Sequence, residues 1–223
     1  MIQPTRLKLV FLDLDGTLKQ ERDPYVYLHR CLGTLEAAKP FTERGLRGEL
    51  SYEEWTRLDA SLWVGVPEKR IAEAFRRDPY LPGAREFVQV LHSAGVQVAL
   101  ISSGFDIHVR QVSQELGIAY TVANELCFHG GRATGEVRFG IMDGHKGPVA
   151  DKLLAQTGAA SHECLAMGDT NSDIELFERA AVSVAVAPTS ERVRAAASIV
   201  LEEPDLRNLI ARLRAFSPGF LPG

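Results

Sequence analysis

The chain has 223 residues, of which 45% are hydrophobic and 24% are charged. This length accommodates one large domain, or a core domain with a small insert, and the composition is ordinary for a soluble globular protein. The net charge of −4, without a basic stripe, argues against a nucleic-acid partner, and no apolar run is long enough to span a membrane.

Cysteine usage indicates a reducing compartment. The chain has three cysteines, Cys31, Cys127 and Cys164, without any C-x-x-C spacing. An odd number at such spacings speaks against a disulfide framework or a zinc cluster. The N-terminus lacks the charged, then apolar, then small pattern of a signal peptide. We therefore predict a cytoplasmic protein.

The most distinctive pattern is an apolar strand that ends in two carboxylates one residue apart. Leu9–Leu12 leads into Asp13 and Asp15, and Gly16-Thr17 follows. Side chains alternate along a strand, so the two carboxylates start on the same face. Like charges so close are unfavourable unless a cation or phosphate chemistry uses them. An isolated D-x-D would equally fit a solvated acidic turn, but the full string is more specific.

The next part of the chain breaks the strand pattern. It is helical in character, with Tyr25–Leu35 and Tyr52–Leu62 as its clearest pieces, and it shows no strong strand. An insert directly after the first strand would lie above that strand's end, as a lid over the site. We predict a catalytic core of residues 1–18 and 81–223, with a helical cap of residues 19–80.

Buried strands and helices alternate through the rest of the chain, which predicts an α/β fold with a doubly wound parallel sheet. Ligands bind beyond the carboxyl ends of the strands in such sheets. A β-hairpin is predicted within Glu125–Phe139, around Gly130-Gly131. The predicted strands are Leu7–Leu12, Val96–Ile101, Cys164–Met167 and Val182–Val186, and the predicted helices are Gly83–Ser93, Ile107–Leu116, Pro148–Thr157 and Asp173–Ala180.

Two further segments carry groups that suit phosphate. Ser102-Ser103-Gly104 ends the second strand with hydroxyls and a glycine, just before helix-forming sequence. A hydroxyl and N–H groups at such a point contact phosphate well, although a simple helix N-cap would look the same. Lys146 precedes the helix that Pro148 starts, where it is either a phosphate contact or an ordinary solvated lysine.

A second strong pattern is Gly168-Asp169 at the end of a strand, with Asp173 four residues later. Asp173 alone could be a helix cap. If this strand lies beside the first, however, Asp169 comes close to Asp13. Carboxylates that converge at one sheet end need a hard divalent cation, and Mg²⁺ is expected because it accepts carboxylates and bridges to phosphate.

These parts, in this order, resemble the four motifs of the haloacid dehalogenase (HAD) superfamily, whose members are mostly phosphatases. The resemblance implies a HAD Rossmann-like core with a small helical cap inserted after the first strand. Further stretches are similar to the phosphoserine-phosphatase-like branch, namely Ser102–Phe105, Ala123–Leu126, Thr134–Val137 and Lys146-Gly147.

The resemblance implies a role for each acidic residue. Asp13 is the nucleophile that forms an aspartyl-phosphate. Asp15 protonates the leaving alkoxide and then deprotonates the water that cleaves the intermediate. Mg²⁺ is held by the Asp13 carboxylate, the Asp15 backbone carbonyl and Asp169, and it neutralises phosphoryl charge.

The same resemblance assigns the phosphate contacts. Ser102 and Lys146 bind the non-bridging oxygens, and Ser103 and Gly104 add backbone N–H contacts. Asp173 orients Lys146 and a metal-bound water rather than binding the metal itself.

The cap differs from the branch at its two recognition charges. Arg22 falls where phosphoserine phosphatases carry the glutamate that holds the substrate amine, and Asp59 falls near their carboxylate-binding arginine. The sequence therefore does not identify the phosphomonoester. Tyr52, Trp55, Arg57, Asp59 and Trp63 are candidate specificity residues, or simply packing residues.

We expect a Mg²⁺-dependent phosphomonoesterase that hydrolyses a small phosphorylated metabolite. A phosphotransferase or phosphomutase of the same superfamily would use the same residues. A non-catalytic phosphate-binding module and a dehalogenase fit less well, and a receiver-type signalling domain would be about half as long. The oligomeric state stays open.

Overall fold

A computed structural model describes residues 4–142 and 144–221, so the outermost residues of the predicted core and Asp143 lie outside the described residues. The fold is built on one seven-stranded sheet. Its strands are β1 (Leu9–Leu12), β2 (Gln97–Phe105), β3 (Tyr120–His129), β4 (Arg132–Arg138), β5 (Cys164–Gly168), β6 (Val182–Val186) and β7 (Ile199–Leu201).

The strands follow the spatial order β4-β3-β2-β1-β5-β6-β7. All neighbouring pairs are parallel except β3 and β4, which form an antiparallel hairpin. Ten α-helices are described: α1 (Pro24–Leu32), α2 (Leu35–Leu46), α3 (Tyr52–Ser61), α4 (Glu68–Arg77), α5 (Ala84–Ser93), α6 (Asp106–Leu116), α7 (Gly147–Thr157), α8 (Ile174–Phe177), α9 (Glu191–Ala196) and α10 (Leu209–Phe216).

Strand β1 lies in the middle of the sheet and is buried on both faces. Val10 and Leu12 point into a core that includes residues of α5 and α10. Leu9 and Phe11 point the other way, into a core that includes residues of α7 and α8. Because side chains alternate along the strand, one apolar run provides packing contacts for the helical layers on both faces of the sheet. The predicted α/β class with a doubly wound sheet is confirmed.

Several element boundaries differ from the predictions. Strand β2 continues to Phe105, past the predicted end at Ile101, with an irregular register against β3. The predicted helix Asp173–Ala180 is regular only over Ile174–Phe177. The hairpin is confirmed, but β3 begins earlier, because its first half pairs with β2, a partner that local sequence does not reveal.

Helices α1 to α4 pack on the core through a third apolar cluster. Trp63 and Phe75 from these helices and their connections contact Phe105 at the end of β2, together with Leu126 and Val137 of the hairpin. Trp63 is fully buried and lies edge-on against Phe105, so it is a packing residue. No helix within the described ranges is long and apolar enough to cross a membrane.

Two linkers connect this helical segment to the rest of the chain, and they are tied to each other. Gln20 N–H donates to the Pro79 carbonyl (2.9 Å), and Leu81 N–H donates to the Leu18 carbonyl (2.8 Å). The buried ammonium of Lys19 donates to the carbonyl of Asp78. The entry and exit of the segment therefore form one joined base.

Gly83, where the chain re-enters the sheet domain, tests this packing. Its φ is +80°, and a Cβ there would lie 2.5 Å from the backbone nitrogen of Arg207. We expect Gly83→Ala to lower the free energy of unfolding by more than the about 1–2 kcal/mol that a left-handed alanine costs. Gly117→Ala is the matched control, since φ is +70° with open space around it. Equal losses of stability in urea unfolding would contradict the steric argument.

Candidate active site

The functional groups meet at the carboxyl ends of three adjacent strands. Strand β1 pairs with β2 on one side and with β5 on the other. Asp13 and Asp15 follow β1, Ser102 lies in β2, and Asp169 follows β5. All four side chains are buried, with 7% exposure or less. The parallel topology places these residues side by side, as the sequence patterns predict.

Lys146 is the central cation of the site. Its Nζ lies 2.5 Å from Asp13 Oδ1 and 2.6 Å from Asp173 Oδ1, and the residue is 1% exposed. Burial alone would lower the pKa of Lys146, but the two carboxylates outweigh burial and raise that pKa. The amine therefore stays charged, and a buried charge of this kind requires the paired carboxylates that surround it.

The Asp173 carboxylate accepts four hydrogen bonds. Its Oδ1 accepts from Lys146, and its Oδ2 accepts from the backbone N–H groups of Asp169 (3.1 Å) and Thr170 (2.9 Å) and from the Thr170 hydroxyl (2.9 Å). A Cβ at Gly168 would lie 2.3 Å from this carboxyl group, which explains the glycine. These contacts support the predicted orienting role for Asp173.

Asp169 is the opposite case. Neither of its carboxylate oxygens has a hydrogen-bond partner among residues 4–142 and 144–221, although the side chain is buried. Burial, with Asp13 and Asp173 nearby, raises the pKa of Asp169 to about 9. Burial also raises the pKa of Asp13 to about 7, against the opposing effect of Lys146. Buried carboxylates held in this way are stabilised by a bound cation.

The donor set fits a hard divalent cation. One oxygen each from Asp13, Asp169 and Asp173 lies within 4.8 Å of the others. All three donors are carboxylates, which suit Mg²⁺ or a similar ion and not a soft metal. Asp173 already accepts four hydrogen bonds, whereas Asp13 accepts one on each oxygen, so Asp13 and Asp169 are the side chains that fit direct coordination.

The Ser102–Gly104 segment contacts the second acid of the first motif. Ser102 Oγ donates to Asp15 Oδ2 (2.9 Å) and accepts from Gly104 N–H (2.9 Å). The Ser103 hydroxyl is buried and has no hydrogen-bond partner among the described residues. A Cβ at Gly104 would lie 2.9 Å from Pro24 and 3.1 Å from Asp15 Oδ2, so only glycine leaves this space open.

Several contacts were not predicted. Thr17 Oγ1 donates to Asp13 Oδ2 (3.2 Å). The Ser103 carbonyl accepts from the hydroxyls of Tyr25 (2.9 Å) and Tyr52 (2.8 Å) and from Asn124 Nδ2 (2.9 Å). Thr17 belongs to the first acidic motif, and Asn124 belongs to the stretch Ala123–Leu126 that resembles the phosphoserine-phosphatase-like branch. Neither pattern says which group each side chain contacts.

Comparison with known proteins places this site in a family. The model of the haloacid dehalogenase-like hydrolases matches residues 10–178, which include most of the site residues described above. The chain belongs to the haloacid dehalogenase-like hydrolases.

Relatives of this hydrolase are phosphoserine phosphatases. That of Methanocaldococcus jannaschii is 29% identical over 93% of this chain and 98% of its own length. The phosphoserine phosphatase of Streptococcus thermophilus is 32% identical over 91% of this chain and 94% of its own length. A solved phosphoserine phosphatase, described as a phospho-aspartyl intermediate analogue, superposes with a TM-score of 0.81 at 29% identity, over 93% of this chain and 99% of that one. The predicted superfamily, branch and phosphatase class are confirmed.

Two adjoining cavities open at the site of this hydrolase. A small one of about 90 Å³ is lined by residues that include Asp13, Asp15 and Lys146. A larger one of about 250 Å³ lies among the helices of the inserted segment, with Tyr52 and Trp55 in its wall. Both cavities are lined by the same three residues where they meet, namely Arg22, Pro24 and Tyr25.

The acids of the larger cavity already have partners. Asp23 accepts from the backbone N–H groups of Tyr25 and Val26 at the start of α1. Asp59 Oδ1 lies 3.2 Å from His29 Nε2. Since Trp63 Nε1 donates to His29 Nδ1 (3.1 Å) and indole only donates, the other imidazole nitrogen faces Asp59 as N–H.

Arg22 is the available charge between the cavities. Its guanidinium donates to the Ala187 carbonyl (2.7 Å) and lies 3.9 Å from Asp169 Oδ2. Its side chain is 39% exposed, in contrast to the buried acids. The two recognition positions therefore differ in their surroundings: Asp59 is buried beside His29 inside the helical segment, whereas Arg22 faces the site.

Thermal unfolding tests the cation site. Because burial raises the pKa of Asp13 to about 7 and of Asp169 to about 9, the folded state holds protons that the unfolded state has lost above about pH 4. Without a divalent cation, stability should fall as pH rises from about 5 to 9. Mg²⁺ at 100 times its Kd should add about 2.7 kcal/mol, or roughly 5–10 °C in Tm.

The increment from Mg²⁺ should be larger at pH 8 than at pH 6, since the cation competes with protons for these oxygens. Asp169→Asn should lose the increment, and equal ionic strength from NaCl serves as the control. An increment that is independent of pH and retained in Asp169→Asn would contradict the assignment.

Proposed function

We propose that this hydrolase is a Mg²⁺-dependent phosphomonoesterase that acts on a small phosphorylated metabolite through an aspartyl-phosphate on Asp13. The observation that carries the proposal is the fixed Asp13 carboxylate. Its Oδ1 accepts from Lys146 and its Oδ2 from Thr17, at the wall of a cavity that Asp15 also lines. A buried carboxylate held at both oxygens is oriented for attack at one point.

The phosphoryl group is bound by cations and donors around this carboxylate. Lys146 provides the buried positive charge, and the buried Ser102 of β2 is proposed to add its hydroxyl. Backbone and hydroxyl groups of Ser103 and Gly104 line the same cavity. Donors preset in a water-poor site stabilise the charge that develops on the equatorial oxygens in the transition state.

The Asp13 and Asp169 carboxylates, with the Asp15 backbone carbonyl, are the groups proposed to hold Mg²⁺. The ion, when bound, neutralises phosphoryl charge and keeps the displacement in line. Asp173 keeps Lys146 in place through its Oδ1 (2.6 Å) and the Asp169 loop through its Oδ2. It therefore acts by positioning other groups.

Asp15 moves the protons. In the first step Asp13 attacks phosphorus, the bond to the leaving oxygen breaks, and Asp15 gives that oxygen a proton. In the second step Asp15 takes a proton from water as the water attacks the aspartyl-phosphate, which restores Asp13 and releases phosphate. Ser102, which donates to Asp15 Oδ2 at 2.9 Å, lies between the acid and the phosphate contacts.

Asp13→Asn tests this assignment. The amide nearly matches the carboxylate in shape but does not attack phosphorus, so turnover of p-nitrophenyl phosphate should fall by at least about 10⁴-fold. Acid-quenched wild-type protein should carry one phosphoryl group on Asp13 by mass spectrometry, and the variant none. Near-wild-type turnover, or a phosphoryl group on another residue, would refute the role of Asp13. Retained Tm would show that the variant is folded.

The cavity among helices α1 to α3 is proposed to take the leaving alcohol. Its two acids each contact other groups of the same helical segment, and its wall includes Tyr25, Val26 and Trp55. Arg22 offers a cation at the junction with the phosphate site. We therefore propose an alcohol with apolar surface whose charged substituent, where it has one, is an anion.

Three small esters separate these charges. O-phosphoserine has an amine and a carboxylate, phosphoethanolamine has the amine alone, and 3-phosphooxypropionate has the carboxylate alone. We expect kcat/KM to be highest for the carboxylate ester and lowest for the amine ester. Arg22→Gln should lower only the carboxylate preference, by about 10–100-fold, since hydrogen bonds to charged groups contribute about 1.5–3 kcal/mol.

Arg30→Gln is the matched control, because Arg30 is an exposed cation on α1 that pairs with Glu21 and does not line the larger cavity. A preference for phosphoserine that Arg22→Gln leaves unchanged would overturn the substrate proposal and leave the phosphatase assignment standing.

We also propose that the protein works in the cytoplasm. All three cysteines are free thiols, and Cys31 is exposed. Exposed free thiols persist in compartments that keep them reduced.

A further inference from the structure

A buried histidine lies directly behind Asp15, and neither the motifs nor the proposed mechanism uses it. His108 is the third residue of α6, the helix that follows β2. It is 1% exposed, and its ring stacks on Phe75 of α4 with a centroid distance of 4.6 Å and an interplanar angle of 11°. Packing therefore fixes the plane of the imidazole.

Both imidazole nitrogens face buried carboxylates. His108 Nδ1 lies 3.4 Å from Asp15 Oδ1, and His108 Nε2 lies 3.9 Å from Asp78 Oδ2. None of these four atoms has another hydrogen-bond partner among the described residues. An imidazole carries at least one N–H and a buried carboxylate oxygen needs a donor, so these groups are partners of each other.

We propose that His108 is a positioning residue for Asp15: its Nδ1–H holds Asp15 Oδ1 and thereby directs Oδ2 toward the oxygen of the leaving group. The distance of 3.4 Å is long for a hydrogen bond, but contacts of catalytic groups often tighten in the substrate complex. This inference rests on the proposed role of Asp15 as acid and base.

The need for such a contact follows from the double use of Ser102. Its hydroxyl donates to Asp15 Oδ2 at 2.9 Å, and the proposed mechanism also assigns it to a phosphate oxygen. A single hydroxyl proton serves one acceptor at a time. When it turns to phosphate, the His108 contact on Oδ1 is the side-chain contact that still orients the Asp15 carboxyl group.

Asp78 anchors the far side of the histidine at the joined linkers. Its Oδ1 accepts from Glu21 N–H (3.2 Å), and its carbonyl accepts from the Lys19 ammonium. His108 thus connects the acid to the base of the inserted helices, and Phe75 adds a second contact from the same segment. The orientation of Asp15 therefore depends on the packing of that helical segment against the rest of the fold.

Leaving-group dependence tests this role. p-Nitrophenolate leaves without protonation, whereas the alkoxide of benzyl phosphate needs an acid, although the two esters are similar in size. General acid catalysis typically contributes about 10²–10⁴-fold. We expect His108→Phe, which keeps a ring on Phe75 and removes both nitrogens, to lower kcat/KM for benzyl phosphate at least about tenfold more than for p-nitrophenyl phosphate.

In His108→Phe, the time course of p-nitrophenolate release from p-nitrophenyl phosphate should also change. The kcat for this ester includes hydrolysis of the aspartyl-phosphate, which needs Asp15 as a base. The variant should therefore release a burst of p-nitrophenolate and then turn over slowly. A merely structural loss would lower kcat/KM for both esters alike and would produce no burst.

Conservative variants assign the effect to one nitrogen. The amide nitrogen of His108→Asn approximates Nδ1 and keeps a donor toward Asp15, whereas that of His108→Gln approximates Nε2 and faces Asp78. The ratio of kcat/KM for benzyl phosphate to kcat/KM for p-nitrophenyl phosphate should recover more in His108→Asn than in His108→Gln. Gln111→Ala is the matched control. Gln111 lies one turn further along α6, and its side chain donates to the Ala72 carbonyl of α4 (3.0 Å), not to Asp15.

The outcomes are distinguishable. A wild-type chain that hydrolyses neither ester with Mg²⁺ defeats the proposed function itself. An active wild type with equal losses for both esters in folded His108→Phe, shown by retained Tm, overturns the inference alone. Asp15, Asp78 and His108 also lie close enough to hold a cation. A second equivalent of metal that disappears in His108→Phe would overturn the inference as well.

Discussion

The ammonium of Lys146, enclosed between Asp13 and Asp173, is the interaction on which the rest of the site depends. Buried carboxylates at one sheet end repel each other and lose their hydration, so they require a compensating charge. Lys146 compensates Asp13 and Asp173 at 2.5 Å and 2.6 Å. Asp169 has no hydrogen-bond partner in the part of the chain that the structure describes. The remaining deficit of positive charge suits this site to a divalent cation.

The parallel sheet makes such an arrangement possible. Strand β1 is buried on both faces between β2 and β5, so the groups at its end inherit a rigid position. The acids of the site lie in the loops that follow β1 and β5, and Ser102 lies in β2 between them and the hairpin. Rigid elements with short functional ends hold reacting groups more closely than long loops do.

The inserted helices are bonded directly to the strand end beside the acids. Tyr25 and Tyr52 from these helices donate to the Ser103 carbonyl at the end of β2. The larger cavity lies on its own side of Arg22 and is lined by residues of the segment alone. Asp13 and Lys146 line the smaller cavity and not this one. The Asp15–His108–Asp78 contacts connect the two regions.

Local patterns were sufficient for the strands of the sheet, the helical character of residues 24–77 and the position of the acids at the strand ends, because alternation, turn residues and carboxylate spacing are encoded within a few residues. The start of β3 and the end of β2 were not predictable, since they are set by pairing with each other. Ser102 and Asp15 are separated by 87 positions, and Lys146 and Asp13 by 133. His108 carried no signal at all: it resembles any polar residue of an amphipathic helix until folding places it against Asp15 and Asp78. Which side chains share a buried volume is decided by long-range packing, and so are their charges and their roles.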